Sequence, residues 1–253
     1  MLSEQGHSVA DRLFAVLESC ANSSRPLTLA DFVARTGLPK TTLHRTCWKL
    51  VELGALERDG DAFRIGTKLF ALGSMSPRLR RLRVTGMPHL QQLVGVTDRV
   101  INLGVLWDRR ALLVEELFGS MAPSMTKMVG ATMPLHATAI GKALLLHQDD
   151  DVLDAVIGDR LLRPFTPHTI VRPSLLREHL AAARHAGVVL SREEWRLGTS
   201  AVAAPVMVGG ETIAAVAALS PFEYELPGLI ASVRTAAARF GAALEQSELM
   251  AAA

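Results

Sequence analysis

The chain has 253 residues, 49% of them hydrophobic and 21% charged, with a formal net charge of +2. That length holds one large domain or two ordinary ones, and the composition excludes a disordered chain. The near-neutral total conceals a split: residues 1–83 carry 13 Lys and Arg against 8 Asp and Glu (+5), whereas residues 84–253 carry 14 against 17 (−3). Such a division is expected when one domain meets phosphates and the other meets something else. The longest apolar runs stop short of the roughly 18 residues that a membrane span needs. MLSEQGHSVADRL also lacks the basic start and apolar core of a signal peptide, so a cytoplasmic protein without a membrane partner is expected.

In chain order, Ser8 to Cys20 is the first predicted helix, with Val9, Leu13, Val16 and Leu17 on one face. Thr28 is placed to N-cap a second helix through Leu29, Phe32 and Val33, which ends at Thr36 before Gly37. A third helix starts near Pro39 and runs to Leu53, with Gly54 as its stop. Leu43, Cys47, Leu50 and Leu53 form its buried stripe, leaving Lys40, Thr41, Thr42, His44, Arg45, Trp48 and Lys49 outward. Donors of this kind near a helix N-terminus suit base edges and phosphates in a major groove, although a solvated basic face on a structural helix has the same composition. Leu56 to Ile65 then reads as two short strands around Arg58-Asp59-Gly60-Asp61, a wing flanked by Arg58 and Arg64 as candidate phosphate contacts. The layout is a winged helix-turn-helix. Cys20 and Cys47 fall on inward faces and read as buried thiols, and no Cys-x-x-Cys pattern calls for a metal or other cofactor. Arg78, Arg80, Arg81 and Arg83 read either as extra backbone contacts or as a solvated linker.

Beyond residue 84 the pattern is mixed. Val100–Leu106 and Ala111–Leu117 form one hairpin candidate around residues 107–110, and Ala201–Val208 with Thr212–Leu219 form another around Gly209-Gly210. Helices are expected at 84–95, 138–148, 174–186 and 227–249, the last with Leu229, Val233, Ala236, Phe240 and Leu244 as its core stripe. The class is α+β.

LPKTTLHRTCWKLVELGALE with FRIGTKLFALG resembles the DNA-binding domain of the IclR family of bacterial transcriptional regulators. MPLHATAIGKALLL at 133–146 and AGVVLSREEWRLGTSAVAAPV at 186–206 resemble two further blocks of that family, in the same order. The resemblance implies a winged helix-turn-helix at 1–75, with Thr28 joining the helix residues as a DNA contact, a linker helix at 76–90, and a GAF-like or PAS-like α/β effector-binding and oligomerisation domain at 91–253. It further implies a double-stranded operator, a homodimer or homotetramer, and a small-molecule effector held by Val129, Gly130, Ala131, Met133, His136, Ser191, Ala201, Ala217 and Leu219.

The chain departs from the family where carboxylate-binding relatives carry small polar or thiol side chains: here Ala201, Ala217 and Leu219 stand in those places, and Ser191 where they have an acid. An apolar wall cannot hydrogen-bond a small hydrophilic acid. A larger apolar or aromatic effector is expected, or an acid held only by backbone amides near 130–138. Gly141 is read as permitting close packing and Lys142 as snorkelling to solvent.

Two other classes remain. A small-molecule sensor without DNA function is one, and the basic helix at 39–53 argues against it. An enzyme is the other, resting on Glu193-Glu194 or on His147 beside Asp149-Asp150-Asp151. Adjacent glutamates point apart, and no Gly-x-Ser-x-Gly, phosphate-binding glycine loop or HExxH is present, so no catalytic or metal-binding residue is expected.

Overall fold

The computed structural model describes residues 8–120, 128–221 and 227–252, so the first seven residues of the stretch read against a signal peptide lie outside the described residues. The chain divides into two compact units, Met1–Arg80 and Arg81–Ala253.

The first unit runs α1 (Val9–Ala21), β1 (Leu27–Thr28), α2 (Leu29–Thr36), α3 (Lys40–Glu52), β2 (Leu56–Asp59), β3 (Ala62–Ile65) and α4 (Thr67–Ser74). Ser8 with Asp11 and Thr28 with Asp31 form complete capping boxes on α1 and α2, satisfying amides that a helix start otherwise leaves bare. Gly37 closes α2 at φ 71°, a conformation a side chain adopts poorly. The wing is real, and β1 adds to it to give an antiparallel sheet in the order β1-β3-β2. Val16, Leu27, Phe32, Leu43, Cys47 and Leu56 are buried together in the core between the helices and this sheet.

Two expected core residues are instead exposed, Val9 (65%) and Leu53 (45%), and Val33 on α2 is exposed at 36%. Val9 opens the first turn of α1, ahead of any packing partner, and Leu53 lies one residue past the end of α3, where the helical stripe has stopped. Val33 sits at the rim of a stripe whose centre Phe32 fills.

In the second unit, α5 (Pro77–Thr97) merges the helices expected at 76–90 and 84–95, and it begins before the division between units. Then follow β4 (Val100–Trp107), β5 (Arg110–Leu117), β6 (Thr132–Pro134), α6 (Ala139–Leu145), α7 (Asp150–Ile157), α8 (Pro173–Ala186), β7 (Val189–Arg192), β8 (Ser200–Val208), β9 (Glu211–Ser220) and α9 (Pro227–Ala252). Six strands make one antiparallel sheet, ordered β6-β5-β4-β9-β8-β7. Both expected hairpins form. Gly209-Gly210 turns one, while Asp108 and Arg109 turn the other at φ 42° and 61°. Asp149 stands at the N-cap position of α7 without a side-chain cap bond, and Asp150 and Asp151 fill its first turn, so the aspartates begin a helix whose N-terminal partial charge they complement.

Helix α6 packs on the sheet beside β4, β8 and β9, and α9 packs against β8 and β9. Close approach of α6 depends on missing side chains. A Cβ on Gly141 would come within 2.5 Å of Leu135 Cα, and one on Gly104 within 2.8 Å of Ile140 Cδ1. No described helix is long and apolar enough to cross a membrane.

Burial pushes the Cys20 thiol up to about 11 and the Cys47 thiol up to about 12. The reactive thiolate is then on the order of one part in a thousand or less at pH 8. Native protein should therefore resist iodoacetamide at pH 8 and take up two equivalents in denaturant, as counted by mass spectrometry. Rapid native labelling would contradict the packing described.

Candidate nucleic-acid interface and small-molecule cavity

In the first unit, α3 has neither a side-chain cap bond at Pro39 nor an acidic residue in its first turn, unlike α1 and α2. Its opening amides and their positive partial charge are thus available to an anion. Lys40, Thr41, His44, Arg45 and Lys49 are exposed along the helix and Thr42 is half-buried. Among the described residues Lys40 and Arg45 make no ion pair, whereas Lys49 meets Glu52 at 3.0 Å. The wing arginines are also engaged. Arg64 reaches Glu57 at 3.2 Å and Asp59 at 4.0 Å, and Arg58 donates to the Gly60 carbonyl at 2.8 Å.

Arg58 also lies over the Trp48 ring, 5.0 Å from its centroid, and the Trp48 indole N–H donates to His44 Nε2 at 3.0 Å. A cation on the indole face and a hydrogen bond at its edge tie wing to helix on the solvent side. The i,i+4 spacing of His44 and Trp48 was the available signal for the second contact. Thr28 does not fit the DNA-contact role. Its hydroxyl accepts from the Asp31 amide and donates to the Asp31 carboxylate, which Arg25 also holds, so the group is consumed by the cap.

In the second unit a cavity lies between α6, the inner face of the sheet and the turn after β7. It contains about 410 Å³ free of protein atoms, its open mouth included. Of the residues expected to bind an effector, Met133, Ser191, Ala201, Ala217 and Leu219 line it. Val129, Gly130, Ala131 and His136 do not. The 130–131 segment is drawn along β5 by backbone bonds, Gly130 N to Leu113 O and Leu113 N to Ala131 O, at 2.8 and 3.0 Å. His136 turns its Nε2 to the Arg163 carbonyl at 2.9 Å and its ring against Phe165. Burial holds its pKa below the usual histidine value.

Sequence reasoning missed Asn102, Ile140, Trp195, Arg196 and Thr199 as lining residues, while Thr138, at the end of the 130–138 stretch of expected backbone amides, does line the cavity. A lone Asn in the apolar run VINLGVLW was a readable signal for the first. The Thr138 hydroxyl has spent its hydrogen on Pro134 O at 2.8 Å and accepts from Gly141 N at 3.1 Å, which leaves it one lone pair. Ser191 donates to Ala137 O at 3.3 Å.

Lys142 does not snorkel. It has no exposed surface, and its Nζ lies 2.6 and 2.7 Å from the two oxygens of Glu194. Desolvation drives its pKa down from the ordinary lysine value, and the carboxylate opposes that. Two half-buried histidines, His136 and His179, feel the same pair and have lowered pKa values, burial being the main cause. Glu193 points away and accepts from Gly198 N at 2.6 Å. Each of the paired glutamates has a structural partner, and they do not converge on a substrate atom.

Comparison with known proteins matches the IclR helix-turn-helix domain to residues 9–60 and the C-terminal domain of the bacterial transcriptional regulator IclR to residues 79–239. The HTH-type transcriptional regulator BhcR of Paracoccus denitrificans is 31% identical over 219 residues, 85% of this chain and 78% of that protein. The transcriptional repressor IclR of Escherichia coli is 28% identical over 193 residues, 75% of this chain and 70% of that one. Among solved structures, an IclR homolog from Microbacterium hydrocarbonoxydans complexed with 4-hydroxybenzoate has a TM-score of 0.86 at 30% identity, over 94% of this chain and 100% of that one.

Removing one member of the buried pair leaves the other uncompensated. Lys142→Met should lower unfolding stability by about 3–5 kcal/mol, and adding Glu194→Leu should recover most of that loss. Urea unfolding at neutral pH tests this: a single variant as stable as the parent, or a double variant no better than the single, would show that the pair does not act as a unit.

Proposed function

Because the chain belongs to the IclR family of bacterial transcriptional regulators, with a helix-turn-helix DNA-binding domain and an effector-binding C-terminal domain, we propose that it recognises a pseudo-palindromic operator as a homo-oligomer and answers to a small apolar or aromatic effector. The observation that carries this reading is the pairing, in one chain, of an exposed cationic helix with an apolar cavity rimmed by Arg196. DNA contact is assigned to residues 1–75 and effector binding to residues 91–253.

Arg45 is the first choice for a base-edge contact, being exposed and without an ion-pair partner among the described residues, and Thr41, Thr42 and His44 flank it. Lys40, Lys49, Arg58 and Arg64 are assigned to phosphates. A single winged domain makes few contacts compared with the number of competing sites in a genome, so at least two half-sites are needed, spaced by roughly 34 Å or a multiple. The 4-hydroxybenzoate in the Microbacterium homolog supports a one-ring aromatic acid as the effector class.

Titrating the protein against the intergenic DNA upstream of its own gene, at two salt concentrations and beside an unrelated duplex, tests the DNA reading. Specific binding in the range of about 10⁻⁸ to 10⁻¹¹ M, with strong preference over the competitor, is expected. Equal and weak binding to both duplexes would favour the rival reading, a sensor without sequence-specific DNA function. On the bound operator, Arg45→Ala should cost about 1–3 kcal/mol and relax preference at one base pair. Lys49→Ala should weaken all sequences evenly and flatten the salt dependence. An Arg45→Ala protein that discriminates among operator variants as the parent does would remove Arg45 from the base-reading set.

A further inference from the structure

Asn102 is the only polar side chain in the buried stretch of β4, is 3% exposed, and lines the cavity of the second unit. Its Oδ1 is buried and meets no hydrogen-bond donor among the described residues. A carbonyl oxygen sunk in a strand without a donor loses its hydration and gains no bond in return, where Val or Leu would pack at no such cost. The strand neighbours offer no remedy. Across the ladders Asn102 faces Ala217 on β9 and Glu116 on β5. Ala217 has no polar atom to give, and the Glu116 carboxylate is itself an acceptor, taking the Met128 amide at 2.6 Å.

The two other buried polar side chains of the lining, Thr138 and Ser191, share this bias, each having given its hydroxyl hydrogen to a backbone carbonyl. Ser191 already donates its hydroxyl hydrogen to Ala137 O and presents only lone pairs to the cavity. Met133, Ile140, Ala201, Ala217 and Leu219 supply apolar surface. Among the described residues the one cation on the lining is Arg196, exposed at the mouth with its guanidinium 5.3 Å from the centroid of the Trp195 ring. The buried end therefore accepts hydrogen bonds, the walls are apolar, and the open end is positive.

We infer that Asn102 is the specificity residue of this cavity, accepting a hydrogen bond from a hydroxyl or amino group on the buried end of the effector. The effector class is a single-ring aromatic carboxylate bearing such a donor, with its carboxylate toward Arg196. This inference rests on the cavity being the effector site. Hydrogen-bonding sites of this kind reject analogues that lack the donor, because the buried acceptor then stays unpaired in the complex as well.

The test uses the full chain, isothermal titration calorimetry, and two sets of probes: the three hydroxybenzoate isomers and the three methylbenzoates, in which a methyl group of similar size replaces the hydroxyl. The parent protein should bind at least one hydroxybenzoate about tenfold or more tightly than its methyl counterpart. Asn102→Leu, with its fold checked by circular dichroism and thermal melting, should erase or invert that preference and still bind the methylbenzoate. Parent protein that binds both members of each pair equally overturns the role of Asn102 without needing any variant. So does an Asn102→Leu protein that keeps the preference. Ala217→Phe, which fills the cavity wall, should abolish binding of every probe. If probes bind Ala217→Phe as they bind the parent, or if none binds the parent at millimolar concentration, the cavity is not the site for this class, and the inference falls together with the reading beneath it.

Discussion

A lysine with no exposed surface has to meet a negative charge or give up its proton, and in this protein it meets Glu194 through both carboxylate oxygens. The pair joins two segments distant in sequence. Lys142 belongs to α6, the helix lying on the sheet, and Glu194 begins the turn between β7 and β8. That turn is held from the other side as well: Thr166 and Thr169 donate their hydroxyls to the carbonyls of Glu193 and Glu194 at 2.6 Å each. Trp195, Arg196 and Thr199, which follow directly, make one wall of the cavity, while Ile140 on α6 belongs to the other. The spacing between those walls is therefore set by a charge pair. A hydrophobic substitute could match its contribution to stability but would lack the directional bonds that fix where the turn sits.

Room for a ligand comes from a second constraint, the run of small residues under α6. Gly104, Ala203 and Ala215 lie on strands beside that helix and let it settle near the sheet at one end. Toward the other end the strands carry Asn102, Ala201 and Leu219, and there helix and sheet enclose the cavity. The same economy of side chains that brings the backbone layers together leaves an apolar wall where a more polar set would have suited a small hydrophilic acid.

Much of this architecture was legible in the residues because it depends on local rules. Helix α3, the wing and both hairpins of the large sheet are written in periodicity, Asp-Gly and Gly-Gly turns, and a stop at Gly37. The short strands β1, β6 and β7 were not, since three or four residues or fewer carry too little periodicity and are defined by their partners. Lys142 was misread for a similar reason. Its burial depends on a carboxylate 52 residues away, and nothing within one turn of α6 announces it. The segment at 129–131 does not line the cavity because backbone pairing holds it along β5, a long-range contact that no local pattern shows, whereas Asn102 is visible in the sequence as a lone polar residue in an apolar strand.

On the DNA-binding side, the unit is organised by what its charges already touch. Lys49, Arg58 and Arg64 each have an acidic or carbonyl partner within the unit, so any phosphate drawn to them would have to compete with those contacts, all of them exposed and weak. Arg45 has no such competitor among the described residues, and it stands on the same helix as the His44–Trp48 bond. Trp48 in turn carries Arg58 from the wing on its ring. Displacing Arg58 toward a phosphate would uncover that ring, and moving the ring would disturb the bond that orients His44. Wing and α3 are coupled through one indole, so a displacement of either is felt by the other.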